Sequence, residues 1–139
     1  MNQEHIFLPV FTLVMWTFAV MTLLFLSRVR GVKTGQVRLR YFKALQGDIP
    51  EKLATLGRHF ANLFELPVLF YAVTIALFAL QRVDGLYLGL CWAFVISRLV
   101  HGLIHITYNH ILHRLLAYFT GAILLMIVWI RLFLQIVGA

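Results

Sequence analysis

An all-α, polytopic membrane bundle of four helices is predicted from three observations. These are the apolar content of the chain, the length of its apolar stretches, and a charge map that crowds cations into one connecting segment. Of 139 residues, 62% are hydrophobic and only 12% are charged, and the mean hydropathy is +0.90. A water-soluble chain of this length has too small a core to hide so much apolar surface. A bilayer solvates it instead. The length accommodates about four spans in a single domain, residues 1–139.

The first span is expected from about Ile6 to Ser27, with Pro9 in its first turns. No basic leader precedes it and no small-residue cleavage site follows it, so it reads as a retained helix. It stops at the basic run Arg28, Arg30 and Lys33. The polar stretch to about Gly47 carries Arg38, Arg40 and Lys43, with Gly31, Gly35 and Gly47 as breakers. Tyr41, Phe42 and Leu45 suit part of it to the membrane surface. Asp48, Pro50 and Glu51 form a start signal for the second helix, with Asp48 as cap and Glu51 three residues on. That helix is expected to run to about Leu80, about 45 Å at 1.5 Å per residue. This exceeds the ~30 Å hydrocarbon core, and Pro67 predicts a kink within it. After a turn at Gln81–Gly85, a third helix is expected over Leu86–Tyr108. A second turn holds Asn109, His110 and His113, and a fourth helix runs from about Arg114 to Val137.

The net charge of +7 sits mainly in the first connecting segment, between apolar helices. That pattern argues against a nucleic-acid partner and for the positive-inside rule, with some attraction to anionic headgroups. The first loop holds Arg28, Arg30, Lys33, Arg38, Arg40, Lys43 and Lys52, whereas the second holds Arg82 opposed by Asp84. The first loop is therefore expected in the cytoplasm and both termini on the opposite side. Cys91 is the only cysteine; it reads as a small buried residue with no base near it. Trp16, Trp92 and Trp129 read as packing or lipid-facing.

Four alternating spans gather nearly all polar span residues at one end. Helix 1 closes with Arg28 and Arg30. Helix 2 opens with Arg58, Asn62 and Glu65 on one face, spaced i, i+4, i+7. Helix 3 carries Arg98, His101, His105 and Tyr108, spaced i, i+3, i+7, i+10. Helix 4 opens with Arg114. Charges at membrane depth cost a few kcal/mol each, so they face protein or a water-filled cavity. Mutual satisfaction is one reading, with Glu65 pairing Arg58 or Arg98. The cations nevertheless outnumber the single carboxylate Glu65, which leaves positive charge for an anionic ligand. His101 and His105, at i, i+4 and followed by His110 and His113, have a metal-ligand spacing. The neighbouring arginines oppose a cation, no cysteine assists, and we read no metal site.

The series Arg58-x-x-x-Asn62-x-x-Glu65 with Pro67, then Arg98-x-x-His101-x-x-x-His105, then Arg114, resembles the MAPEG family. These are membrane-associated proteins in eicosanoid and glutathione metabolism, and the resemblance covers nearly the whole chain. It implies a homotrimer of four-helix subunits that binds glutathione between neighbours near the cytoplasmic face. By position, Arg58, Asn62 and Glu65 would bind glutathione from helix 2, and Arg98 and His101 from helix 3. His105 stands where many members have a tyrosine, and Tyr108 lies one turn on. Arg114 would stand beside the sulfur, and Arg28 or Arg30 would be the arginine that closes helix 1. Ala61 stands where some members have a second arginine. The implied activity is that of a glutathione transferase or peroxidase on lipophilic electrophiles or hydroperoxides.

Elementary chemistry agrees with glutathione. Its two carboxylates suit arginines, and its amine suits Glu65 or Asn62. Lowering a thiol pKa of about 8.5 by ~2 units takes about 2.7 kcal/mol of preferential thiolate stabilisation, which one partly desolvated arginine can supply. Two other classes compete: a non-catalytic protein that holds a lipid for a partner, and a structural membrane subunit.

Overall fold

The computed structural model describes residues 2–45 and 47–138. A single 3-10 turn, Gln3–Ile6, leads into α1, Phe7–Lys33. The helix continues about a turn and a half past the predicted stop at Ser27, because arginine and lysine are good helix formers. Thr34 ends it, and Gly35 follows with φ +73°. The chain then folds back on the last turns of α1. A Cβ at Gly31 would lie only 3.1 Å from Val37 Cγ2, so glycine permits this approach. The basic segment contains one short helix, α2, Tyr41–Ala44.

The expected second helix exists as two, α3 (Glu51–Asn62) and α4 (Leu66–Ala79). Pro67 predicts a kink, and the outcome is a break. Its ring cannot share space with the carbonyl four residues earlier, and it has no N–H to donate. Leu63 N–H and Phe64 N–H turn instead to Phe60 and Ala61 carbonyls three residues back, at 3.1 and 3.0 Å. Glu65, at φ −94° and ψ −98°, leaves the helical region, and Pro67 falls in the first turn of α4, where its missing donor costs nothing. Asp48 does not cap α3. The helix begins at Glu51, with Pro50 at the capping position two residues after Asp48 and no side-chain bond.

The third long helix, α5, covers Gly85–Ile106, and α6 covers Ile111–Val137. Asp84 caps α5 by accepting from Tyr87 N–H at 2.9 Å. The α5–α6 turn is tighter than predicted: Asn109 adopts φ 48°, a conformation asparagine tolerates. His113 therefore lies within α6 rather than in the turn, and α6 starts three residues before the expected Arg114. Among the described residues, four stretches are long and apolar enough to cross a membrane: Gln3–Lys33, Glu51–Ala79, Gly85–Ile106 and Ile111–Val137.

The helices α5 and α6 form the closest pair, and α1 packs on α3 and α5. Half of the core gathers Leu13, Phe70, Val73, Phe94, Leu125 and Val128. The other half gathers Val20, Leu24, Val37, Leu53, Leu56 and Leu63. Phe11, Phe25, Ile75 and Phe133 point outward, as expected where hydrocarbon replaces water. Packing, small residues and interhelical hydrogen bonds then hold the helices, since lipid tails are as apolar as the core.

The end that holds the N-terminal turn, the 80–84 loop and the last turns of α6 is tied by side chains. Gln3 Nε2 donates to the Val83 carbonyl at 3.1 Å, and Val83 N–H donates to Gln3 Oε1 at 2.9 Å. Arg131 grips Asp84 with two hydrogen bonds and stands 4.0 Å over the Tyr87 ring. The Tyr87 hydroxyl donates to Gln135 Oε1 at 2.9 Å. This end was expected to be almost wholly apolar, with Asp84 opposed by Arg82. Arg131, one turn and a half from the end of α6, is the true partner. Its hydrogen bonds hold the Asp84 carboxyl below the usual range.

Candidate functional site

The end of α1, the start of α3, the end of α5 and the start of α6 meet at the opposite, basic end. A cleft of about 700 Å³ opens there, with Arg30, Lys52, Thr55, His105, Tyr108 and Asn109 among its lining residues. A second groove of about 310 Å³ lies on the other side of α3. It contains Arg28, Tyr41, Phe42, Arg58 and Ala61. The Arg28 guanidinium sits 5.6 Å from the Phe42 ring centre. The two arginines that close α1 thus serve different openings, Arg30 the cleft and Arg28 the groove.

Arg98 is buried, at 3% exposure. Its Nη2 donates to the carbonyls of Ala117 and Tyr118 in α6, both at 3.0 Å, and its guanidinium stands 4.9 Å over the Tyr118 ring. Gly121 makes room for this crossing. A Cβ there would fall 2.6 Å from Ser97 Oγ and 2.8 Å from an Arg98 nitrogen. The Tyr118 hydroxyl reaches Glu65 Oε2 at 3.5 Å. Arg98 and Glu65 are therefore connected through Tyr118, and among the described residues Glu65 is in no salt bridge. The expected direct pairing of Glu65 with Arg58 or Arg98 does not form.

His101 and His105 are buried with Arg98 on the inner face of α5. His101 Nδ1 lies 3.0 Å from the Arg114 backbone oxygen. A carbonyl only accepts, so this nitrogen carries the hydrogen and Nε2 keeps its lone pair. The Arg114 side chain turns the other way, and its Nη1 donates to Asn109 Oδ1 at 2.8 Å. Asn109 lines the cleft, so it moors Arg114 beside that opening. Tyr108, past the end of α5, is 61% exposed and its hydroxyl lies 3.1 Å from His113 Nδ1.

Arg58, Asn62 and Glu65 do not face this interior. Arg58 and Glu65 are exposed and Asn62 is half-buried, while Leu53, Thr55, Leu56 and His59 form the buried face of α3. Arg58 Nη2 donates to Thr55 Oγ1 at 3.0 Å. Within the chain, the geometry brings together Arg30, His105, Tyr108 and Asn109, with Arg98, His101 and Arg114 behind them. The helix 2 triad is left on an outward surface.

The sequence reading missed His59, Asn109 and Tyr118. His59 is wholly buried, with its ring centre 5.4 Å from that of His105 and 6.1 Å from that of His101. A signal was present: His59 falls in the apolar register of Leu56 and Leu63. Among the described residues, no group of three or more histidine, cysteine or acidic side chains is arranged to hold a metal ion. Cys91 is buried in the other half of the core, away from this site.

A model of the MAPEG family matches residues 6–134. At the significance required, no curated protein and no solved structure matches the chain.

Proposed function

The chain belongs to the MAPEG family and is an integral, multi-pass membrane protein; from that premise we propose that it is a glutathione transferase or peroxidase acting on lipophilic electrophiles or hydroperoxides. One observation carries this reading. Among the described residues, Arg28, Arg30, Arg58, Arg98 and Arg114 all stand at one end of the bundle and none is in a salt bridge, the single ion pair being that of Arg131 with Asp84. Unmatched guanidinium groups beside a cleft suit a ligand with two carboxylates.

In this reading, Arg58, Asn62 and Glu65 bind glutathione from α3. Their outward placement fits a homotrimer, in which a neighbouring subunit covers that face and completes the site. Arg98 and His101 support the ligand from α5, and Arg30, His105 and Tyr108 supply the cleft wall. Arg114, moored by Asn109, stabilises the thiolate. The second substrate partitions from the lipid along the apolar helices, and the basic first loop faces the cytoplasm.

Isothermal titration with glutathione in mild detergent tests the proposal. Saturable binding is expected, with turnover of a lipophilic electrophile or hydroperoxide at the same site. A protein that folds yet binds no glutathione would instead be a lipid-holding or structural member of the family.

A further inference from the structure

Behind the cleft lies a cluster of buried, unpaired nitrogens. Trp16 Nε1, both ring nitrogens of His59, His101 Nε2 and His105 Nδ1 are buried without a hydrogen-bond partner. They come from α1, α3 and α5. The His101 and His105 ring centres are 5.7 Å apart, and the Trp16 ring lies 6.2 Å from that of His59. Gly102 forms the wall between them, since a Cβ there would strike the His59 and Trp16 rings at 2.8 and 2.9 Å. Leaving one buried polar group unpaired costs about 1–3 kcal/mol, so five in one place call for a partner. Their burial excludes lipid, and their mixture of donors and acceptors suits water, which takes two to four polar partners.

Such water is oriented by the backbone. The Arg114 carbonyl places the hydrogen of His101 on Nδ1, so His101 Nε2 accepts. A water that donates to His101 Nε2 can donate its other hydrogen to His59 and accept from His105 Nδ1–H. His105 then keeps its lone pair on Nε2. His105 is the one histidine of the three that also lines the cleft.

We propose that His105 takes the thiol proton of glutathione in the cleft, with His59 and His101 positioning its ring through water held among the three. This rests on the glutathione reading above. In the step, the S–H bond breaks and its electron pair stays on sulfur. The proton forms an N–H bond at His105 Nε2 and passes on to cleft water or to the product. Arg114 stabilises the thiolate, and His105 removes the proton.

The test uses the full-length protein in detergent, with glutathione binding read by calorimetry and thiolate formation by stopped-flow ultraviolet absorbance. His105→Asn keeps a polar group near Nδ1 and removes the base. It should leave glutathione affinity within about threefold and slow thiolate formation by about 100-fold or more, the range of general-base catalysis. His59→Phe should slow it by roughly tenfold, as for loss of an outer-shell partner, and His59→Gln should recover most of that rate. Wild-type thiolate kinetics in His105→Asn, with glutathione bound, would overturn this inference and leave the proposed function standing. Failure of wild-type protein to bind glutathione would remove both. If His59→Phe does not fold, His105→Asn decides alone.

Discussion

At the end of the bundle that holds Gln3 and Gln135, Asp84 meets Arg131, Tyr87 meets Gln135, and Gln3 meets the Val83 backbone. At the opposite end, Arg28, Arg30, Arg58, Arg98 and Arg114 are in no salt bridge among the described residues, and several buried ring nitrogens have no partner. Both ends carry polar groups at or near membrane depth, where an unpaired charge is expensive. The first spends its polar groups on one another and so closes the fold. The second leaves them poised for something else. Paired charges report architecture; arginines without a carboxylate, gathered in one place, are what the glutathione proposal rests on.

This contrast breaks most readily at Arg114. If the basic end is built for an anion, Arg114→Ala should lower turnover by roughly 10²–10³-fold, the usual loss for one preorganised donor at a developing charge. Glutathione affinity should fall only a few-fold. Arg58→Ala and Glu65→Ala should do the reverse, weakening affinity by roughly tenfold with less effect on the chemical step. Steady-state kinetics beside calorimetry separate the two patterns, and an Arg114→Ala enzyme with unchanged turnover removes its assigned role.

A second comparison uses two glycines of α5. At Gly102 an added methyl meets the rigid rings of His59 and Trp16, whereas at Gly89 it meets nothing within 4 Å. Gly102→Ala should destabilise by about 1–3 kcal/mol, as overpacking does, while Gly89→Ala, which relieves a helix-interior glycine without a clash, should hold the unfolding midpoint or raise it slightly. Thermal unfolding in detergent measures both, and equal midpoints would mean that the histidine cluster is looser than its geometry.

The smallest effect belongs to the closed end. The Asp84 carboxyl is held below its ordinary pKa by Arg131, so its stabilising contribution is present above the unfolded value of about 3.9. It is lost as pH falls through the lower, folded value. Because the pair is partly exposed, with side-chain accessibilities of 26% and 45%, Asp84→Asn should cost only about 0.5–1 kcal/mol at neutral pH. Wild type and variant should converge in acid. A gap between them that stays constant into strong acid would sink the ion pair as its cause.

Span number, the polar end and most helix limits were legible because they rest on long apolar runs and on a strongly biased charge map. The break before Pro67 was legible only as a kink. Proline announces lost helical hydrogen bonds, but whether the chain bends or stops depends on how Asn62 to Glu65 pack. His59 was hidden because a histidine in an apolar register looks the same whether it packs inward or snorkels outward. The pairing of Arg131 with Asp84 was hidden for a different reason: 47 residues separate them, and only the antiparallel return of α6 brings them together. Arg58 and Asn62 keep the helical register that grouped them, whereas Glu65 lies beyond the break, and nothing in their spacing says that these side chains point away from the interior of the bundle.

The crossing of Arg98 onto α6 also bears on how the protein is made. A lone arginine well inside a span raises the free energy of insertion by up to about 2.5–3.5 kcal/mol, and a nascent chain presents α5 before α6. Until Ala117 and Tyr118 have been synthesised, the guanidinium lacks the two carbonyls that receive it. α5 is thus a reluctant passenger on its own and a good one once α6 is beside it. The short turn between them makes the two helices a natural unit of delivery, entering the bilayer together as a hairpin.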